Sequence, residues 1–87
     1  MQVFEYTITD PVGLHARPAA NLSRMAASLE SDVRVKKSGG EKDADAKSML
    51  AVMSLGVRSG DIAVFTVSGE REGQDATALR EFCNAEL

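Results

Sequence analysis

Tryptophan is absent, cysteine and histidine each occur once, and aromatic residues make up only 5% of the 87. The lone cysteine, Cys83, has no partner for an internal disulfide, which suits a reducing compartment. No apolar run approaches the length needed to cross a membrane, and the amino terminus lacks a signal-peptide pattern. A soluble, cytoplasmic protein is therefore expected. An excess of positive charge is also missing. The net charge of −3 and a pI near 5.0 argue against nucleic acid as the main partner, because a phosphate backbone wants a basic face. No repeat, low-complexity segment or linker divides the chain, so residues 1–87 read as one domain. No cofactor and no metal ion is called for.

What remains is enough to fold. Hydrophobic residues reach 44%, which suits a small α/β or α+β domain with a modest core rather than a disordered chain. Val3 to Thr9 alternates and is rich in β-formers, so it reads as a strand with Phe4, Tyr6 and Ile8 on one side. Ala16 to Ser28 reads as a helix. Its buried stripe is Ala19, Leu22, Met25, Ala26 and Leu29, at spacings of three and four. Val33-Arg34-Val35-Lys36 is a second strand with the valines inward. Ser38-Gly39-Gly40 turns the chain, and Glu41 to Ala44 returns as a short polar edge strand. Ser48 to Leu55 is a short helix ended by Gly56. Ile62 to Ser68 is the most strand-like run, with Ala63, Phe65 and Val67 inward. Glu70 to Ala85 is the last helix, burying Ala76, Leu79, Phe82 and Cys83. The order is βαββαβα. Short loops and one apolar face per helix predict an α+β fold, a four-stranded antiparallel sheet with three helices on one face.

The stretch Gly13-Leu14-His15-Ala16-Arg17-Pro18-Ala19-Ala20 organises the rest. Asp10-Pro11-Val12-Gly13 before it is a loop, so His15 falls where a loop becomes a helix. The first turn of a helix leaves backbone N–H groups without internal partners, and with the helix dipole they suit an anion such as phosphate. Pro18 fits in that turn, where its missing N–H costs nothing. Arg17 adds a guanidinium that can fork two phosphate oxygens. A neutral imidazole beside an anion site is what reversible histidine phosphorylation needs. A histidine at a helix start is more often a cap or a surface residue, and spacing alone leaves both readings open.

The second short helix carries another signal. Val52 and Leu55 share one side; Met49, Leu50 and Met53 share another. A two-turn helix lying on a sheet cannot bury both. Some of Met49, Leu50 and Met53 should stay exposed, as a docking surface that adapts to partners, unless they are ordinary core.

The segment from Gly13 to Ala19 resembles the active-site signature of the HPr family, the histidine-containing phosphocarriers of the bacterial phosphoenolpyruvate-dependent sugar phosphotransferase system. Lys47-Ser48-Met49-Leu50-Ala51-Val52-Met53-Ser54-Leu55-Gly56-Val57 resembles that family's regulatory-serine region. The two lie at the family's separation, give or take a two-residue insertion near Lys37 to Asp45, and the likeness spans the chain. The resemblance implies an open-faced β-sandwich of four antiparallel strands and three helices. It implies that His15 accepts phosphate on Nδ1 from phospho-Enzyme I and passes it to IIA domains of sugar permeases. The amides of Ala16 and Arg17 and the Arg17 side chain would hold it. Ala16, Ala20, Met49, Leu50 and Met53 map onto the family's docking surface. Ser48 maps onto the serine modified by HPr kinase/phosphorylase in carbon catabolite control, which brings in a catabolite-control transcription factor as a further partner; the same serine is also a natural N-cap. Ala16 stands where many members carry Thr or Ser, so a hydroxyl contact to phosphate is absent there. A monomer is expected, acting as a carrier and not as a stand-alone enzyme.

Three other readings compete. A purely regulatory module would act through Ser48 alone, and His15 counts against it. A carrier of the nitrogen-related branch would share the chemistry, but the Lys47-Ser48 region leans towards the sugar branch. A histidine phosphatase would want a second acid or base near the nucleophile, and the sequence offers none.

Overall fold

Ile62–Ser68, the run richest in alternating β-formers, becomes the strand on which the sheet is built. The computed structural model covers residues 1–87. In chain order the elements are β1 (Gln2–Thr7), α1 (Ala16–Ala27), β2 (Asp32–Lys37), β3 (Asp43–Asp45), α2 (Met49–Met53), β4 (Ile62–Ser68) and α3 (Glu72–Glu86). The sheet order is β1-β4-β2-β3, and every pairing is antiparallel. The last strand in sequence is thus inserted between the first and second.

Register explains why one face is apolar. Phe4 pairs with Phe65, Phe65 with Val35, and Val35 with Ala44, so one inward row crosses all four strands. All four side chains are buried, and the two phenylalanine rings stack at 5.1 Å. One residue along, the pleat turns the row Glu5, Val64, Lys36 and Asp43 to the opposite face. Arg34 donates to Asp43 there at 3.1 Å, and the guanidinium beside it holds the Asp43 carboxyl below its ordinary value.

Ala19, Leu22 and Ala26 from α1, Val52 from α2, and Ala76, Leu79 and Cys83 from α3 join the inward strand residues in one core cluster. Burial pushes the Cys83 thiol up to about 12, so it behaves as a small hydrophobe. Three stripe residues depart from expectation: Met25, Leu29 and Phe82 are only partly buried and pack on the margin of the core. Residues at the border of an amphipathic stripe lie next to its polar face and stay half in water. Boundaries also shift. β1 stops at Thr7, although Ile8 is 1% exposed. α1 ends at Ala27. α3 starts at Glu72 rather than Glu70, because Gly69, at φ +154°, and the following turn redirect the chain.

A polar contact that periodicity does not announce ties α3 to the loop after α1. Asp75, buried on α3, accepts the Ser31 backbone N–H at 3.0 Å and the Ser31 hydroxyl at 2.6 Å. This fastens the α1–β2 loop to the first turns of α3, and no buried side-chain polar atom is left without a partner.

Candidate functional site

The loop that delivers His15 is held at both ends. The amides of Thr9 and Asp10 both donate to the Leu87 carbonyl, at 2.7 and 2.9 Å. Further on, Leu14 is buried and its N–H donates to the Val57 carbonyl at 3.0 Å. Gly13 has φ +81°, and a Cβ there would stand 2.7 Å from both the Arg58 Cα and the Val57 carbonyl oxygen. The loop therefore passes too close to the Val57–Arg58 backbone for any side chain at position 13. That backstop is itself fixed: Asp61 accepts the Arg58 N–H at 2.9 Å. The Arg58 amide, and Lys37 beside it, hold the Asp61 carboxyl below its ordinary value.

His15 is the N-cap of α1, in an extended conformation, and its side chain makes no capping bond. Its own N–H reaches the Gly13 carbonyl at 3.0 Å, and its carbonyl accepts from Ala19 at 2.9 Å. Pro18 has no N–H to offer. The amides of Ala16 and Arg17 have no partner within the chain, and both residues are exposed. Two donors and the positive end of a twelve-residue helix are thus presented beside an imidazole that is 39% exposed. The ring opens on a hollow of about 340 Å³ lined by Asp10, His15, Arg17, Pro18, Asn21 and Glu86.

Two carboxylates in that hollow were not legible in the chain. Asp10 places Oδ1 3.6 Å from the His15 Nε2, and Glu86 arrives from the far end of α3. The expectation that no second acid or base lies near the histidine is therefore corrected. A loop has no period, so nothing in the sequence aims Asp10 at a ring five residues on, and Glu86 is 71 residues away. Asn21, one turn along from Arg17, accepts from Arg24 at 2.7 Å.

α2 starts differently. Ser48 is its N-cap, and its hydroxyl oxygen accepts the Ala51 N–H at 3.3 Å. The residue before it is anchored, since the Lys47 carbonyl accepts the Ser23 hydroxyl at 2.6 Å. Val52 is fully buried, whereas Met49, Leu50 and Met53 are 36%, 75% and 37% exposed. Ala16 is exposed and Ala20 half-buried on the neighbouring helix. Gly56, at φ +67°, follows the helix end.

The family model described as "PTS HPr component phosphorylation site" matches residues 3–85. The chain belongs to the HPr family. It is 39% identical over 79 residues to the phosphocarrier protein HPr of Lysinibacillus sphaericus, covering 91% of this chain and 88% of that one. A multiphosphoryl transfer protein of Xanthomonas campestris matches at 40% over 76 residues, 87% of this chain but 8% of that much longer protein. Among solved structures, HPr-C-His from Thermoanaerobacter tengcongensis superimposes with a TM-score of 0.89 at 32% identity, covering 99% of this chain and 94% of that one. The HPr fold, with its four-stranded antiparallel sheet and three helices, is therefore the fold of this chain. The HPr family is one of phosphocarriers in the phosphotransferase system. No helix of this member is long and apolar enough to cross a membrane.

Proposed function

We propose that residues 1–87 form a single phosphocarrier domain in which His15 takes a phosphoryl group from phospho-Enzyme I and hands it to IIA domains of sugar permeases. One observation carries this reading: an accessible imidazole stands at the start of α1 beside two unpartnered amides. Nδ1 is the nitrogen phosphorylated, as the likeness to the HPr family implies. The amides of Ala16 and Arg17 donate to the phosphoryl oxygens, and the Arg17 guanidinium adds a second, bidentate hold. No cofactor or metal takes part.

The exposed side chains of Met49, Leu50 and Met53, with Ala16 and Ala20, form the surface on which Enzyme I and the IIA domains dock. Methionines suit a surface that must fit several partners, because their unbranched chains repack easily. Ser48 serves as the N-cap of α2 and as a regulatory phosphorylation site for HPr kinase/phosphorylase, whose product is read by a catabolite-control transcription factor. A phosphate there sets a dianion against Met49 and Leu50 and opposes docking. The protein acts as a cytoplasmic monomer.

Incubation with Enzyme I and labelled phosphoenolpyruvate tests the reading. An acid-labile, base-stable label is expected on the parent protein and none on His15→Ala. Retention of that label by His15→Ala would refute the assignment.

A further inference from the structure

Asp10 has no part in the roles above, yet its carboxylate is the acid that reaches the His15 ring. Oδ1 lies 3.6 Å from Nε2. The same oxygen accepts the Val12 N–H at 2.9 Å, and the Asp10 carbonyl accepts the Gly13 N–H at 3.0 Å. That turn fixes the direction of the carboxylate, while the Asp10 amide is tied to the Leu87 carbonyl. The side chain is 25% exposed, so water only partly screens what it faces.

A neutral imidazole carries its proton on one nitrogen, and the partner of the other decides which. A carboxylate facing Nε2 favours the proton there and leaves the Nδ1 lone pair free. We propose that Asp10 is a positioning residue for His15: it holds the ring as the Nε2–H tautomer, so that Nδ1 is the nitrogen that takes phosphate. This rests on the reading of His15 as the phosphorylated residue. In the transfer, the Nδ1 lone pair forms the new N–P bond. The bond from phosphorus to the donor histidine of Enzyme I breaks, and its electron pair returns to that ring. The Nε2 proton stays, and the positive charge gained by the His15 ring faces the Asp10 carboxylate. An aspartate orients and stabilises the histidine of a serine hydrolase in the same manner. Arg17, in the same hollow, is left for the phosphoryl oxygens.

Asp10 could instead serve only its own turn, and Asp10→Asn separates the two roles. Asparagine closes the same turn through its side-chain carbonyl, but it has no charge and can offer an N–H to Nε2, which favours the opposite tautomer. His15 is the sole histidine, so ring ¹⁵N NMR of the unphosphorylated protein, at a pH where imidazole is neutral, reads its tautomer without ambiguity. The parent should carry the proton on Nε2. In Asp10→Asn the two ring shifts should converge or exchange, and transfer from phospho-Enzyme I should slow about tenfold. A parent ring protonated on Nδ1, unaltered ring shifts in the variant, or altered shifts with an unaltered rate would each overturn the proposal. Failure of the parent itself to take label would instead count against the phosphocarrier reading, and the ring spectrum, which needs no phosphate, would still decide the tautomer.

Discussion

α1 and α2 both begin on a side chain able to carry phosphate, and they use it in opposite ways. Ser48 turns its oxygen inward and caps the Ala51 amide. His15 gives its helix no cap at all. A serine, threonine, aspartate or asparagine at an N-cap stabilises a helix by about 1 kcal/mol, so α1 forgoes that at His15. The compensation is visible in packing. α1 buries Pro18, Ala19, Leu22 and Ala26, whereas α2 buries only Val52. A helix with a wide buried face can leave its first amides open for an incoming anion; a single turn and a half with one anchor needs its cap. The lesson is that the uncapped start sits on the helix that tertiary contacts already hold.

That contrast can be broken by substitution, beginning with the largest effect. His15→Ala should abolish labelling by phosphoenolpyruvate and Enzyme I with little change in stability, since no cap is lost. Gly13→Ala attacks the delivery of His15 instead of its chemistry. A left-handed backbone and a Cβ 2.7 Å from Val57 and Arg58 should cost about 2–4 kcal/mol in urea unfolding. A loss below about 0.5 kcal/mol would mean the loop is not braced there. Ser48→Asp should slow transfer about tenfold, or about 1.4 kcal/mol of docking, while an aspartate still caps α2 and leaves Tm near that of the parent. Equal transfer rates would remove Met49, Leu50 and Met53 from the docking surface.

Ser48→Ala sharpens the comparison from the other side: it should lose about 1 kcal/mol of stability by thermal unfolding, through the cap alone. The smallest and most specific effect is a gain. His15→Asp supplies α1 with the cap it lacks, so it should raise stability by about 0.5–1 kcal/mol while ending phosphoryl transfer. No gain in Tm would show that the amides of Ala16 and Arg17 are already satisfied and are not a reserved anion site.

Much of this was readable from residue order. Val33, Val35, Ala63, Phe65 and Val67 point inward as the period-two pattern requires, and Leu50 is exposed because a helix of this length has one buried side. Other features were not readable, since they join residues through space. Phe82 and Met25 fit the stripe by spacing, but they are only partly buried and pack on the margin of the core. Asp75 reads as an ordinary acid near a helix start, and only folding brings Ser31 under it. Asp10 and Glu86 share a hollow with His15, where the Leu87 carbonyl ties the Asp10 loop to the end of α3.

Residue order alone determined the elements, the inward faces and the motif that begins at Gly13, because each rests on local backbone preference and on spacings of two or of three and four. Only the tertiary structure decided that β4 lies between β1 and β2, that Gly13 has no room for a side chain, and that a carboxylate faces the His15 ring. Those outcomes depend on which distant backbone groups satisfy one another once the core closes, and no local pattern encodes that.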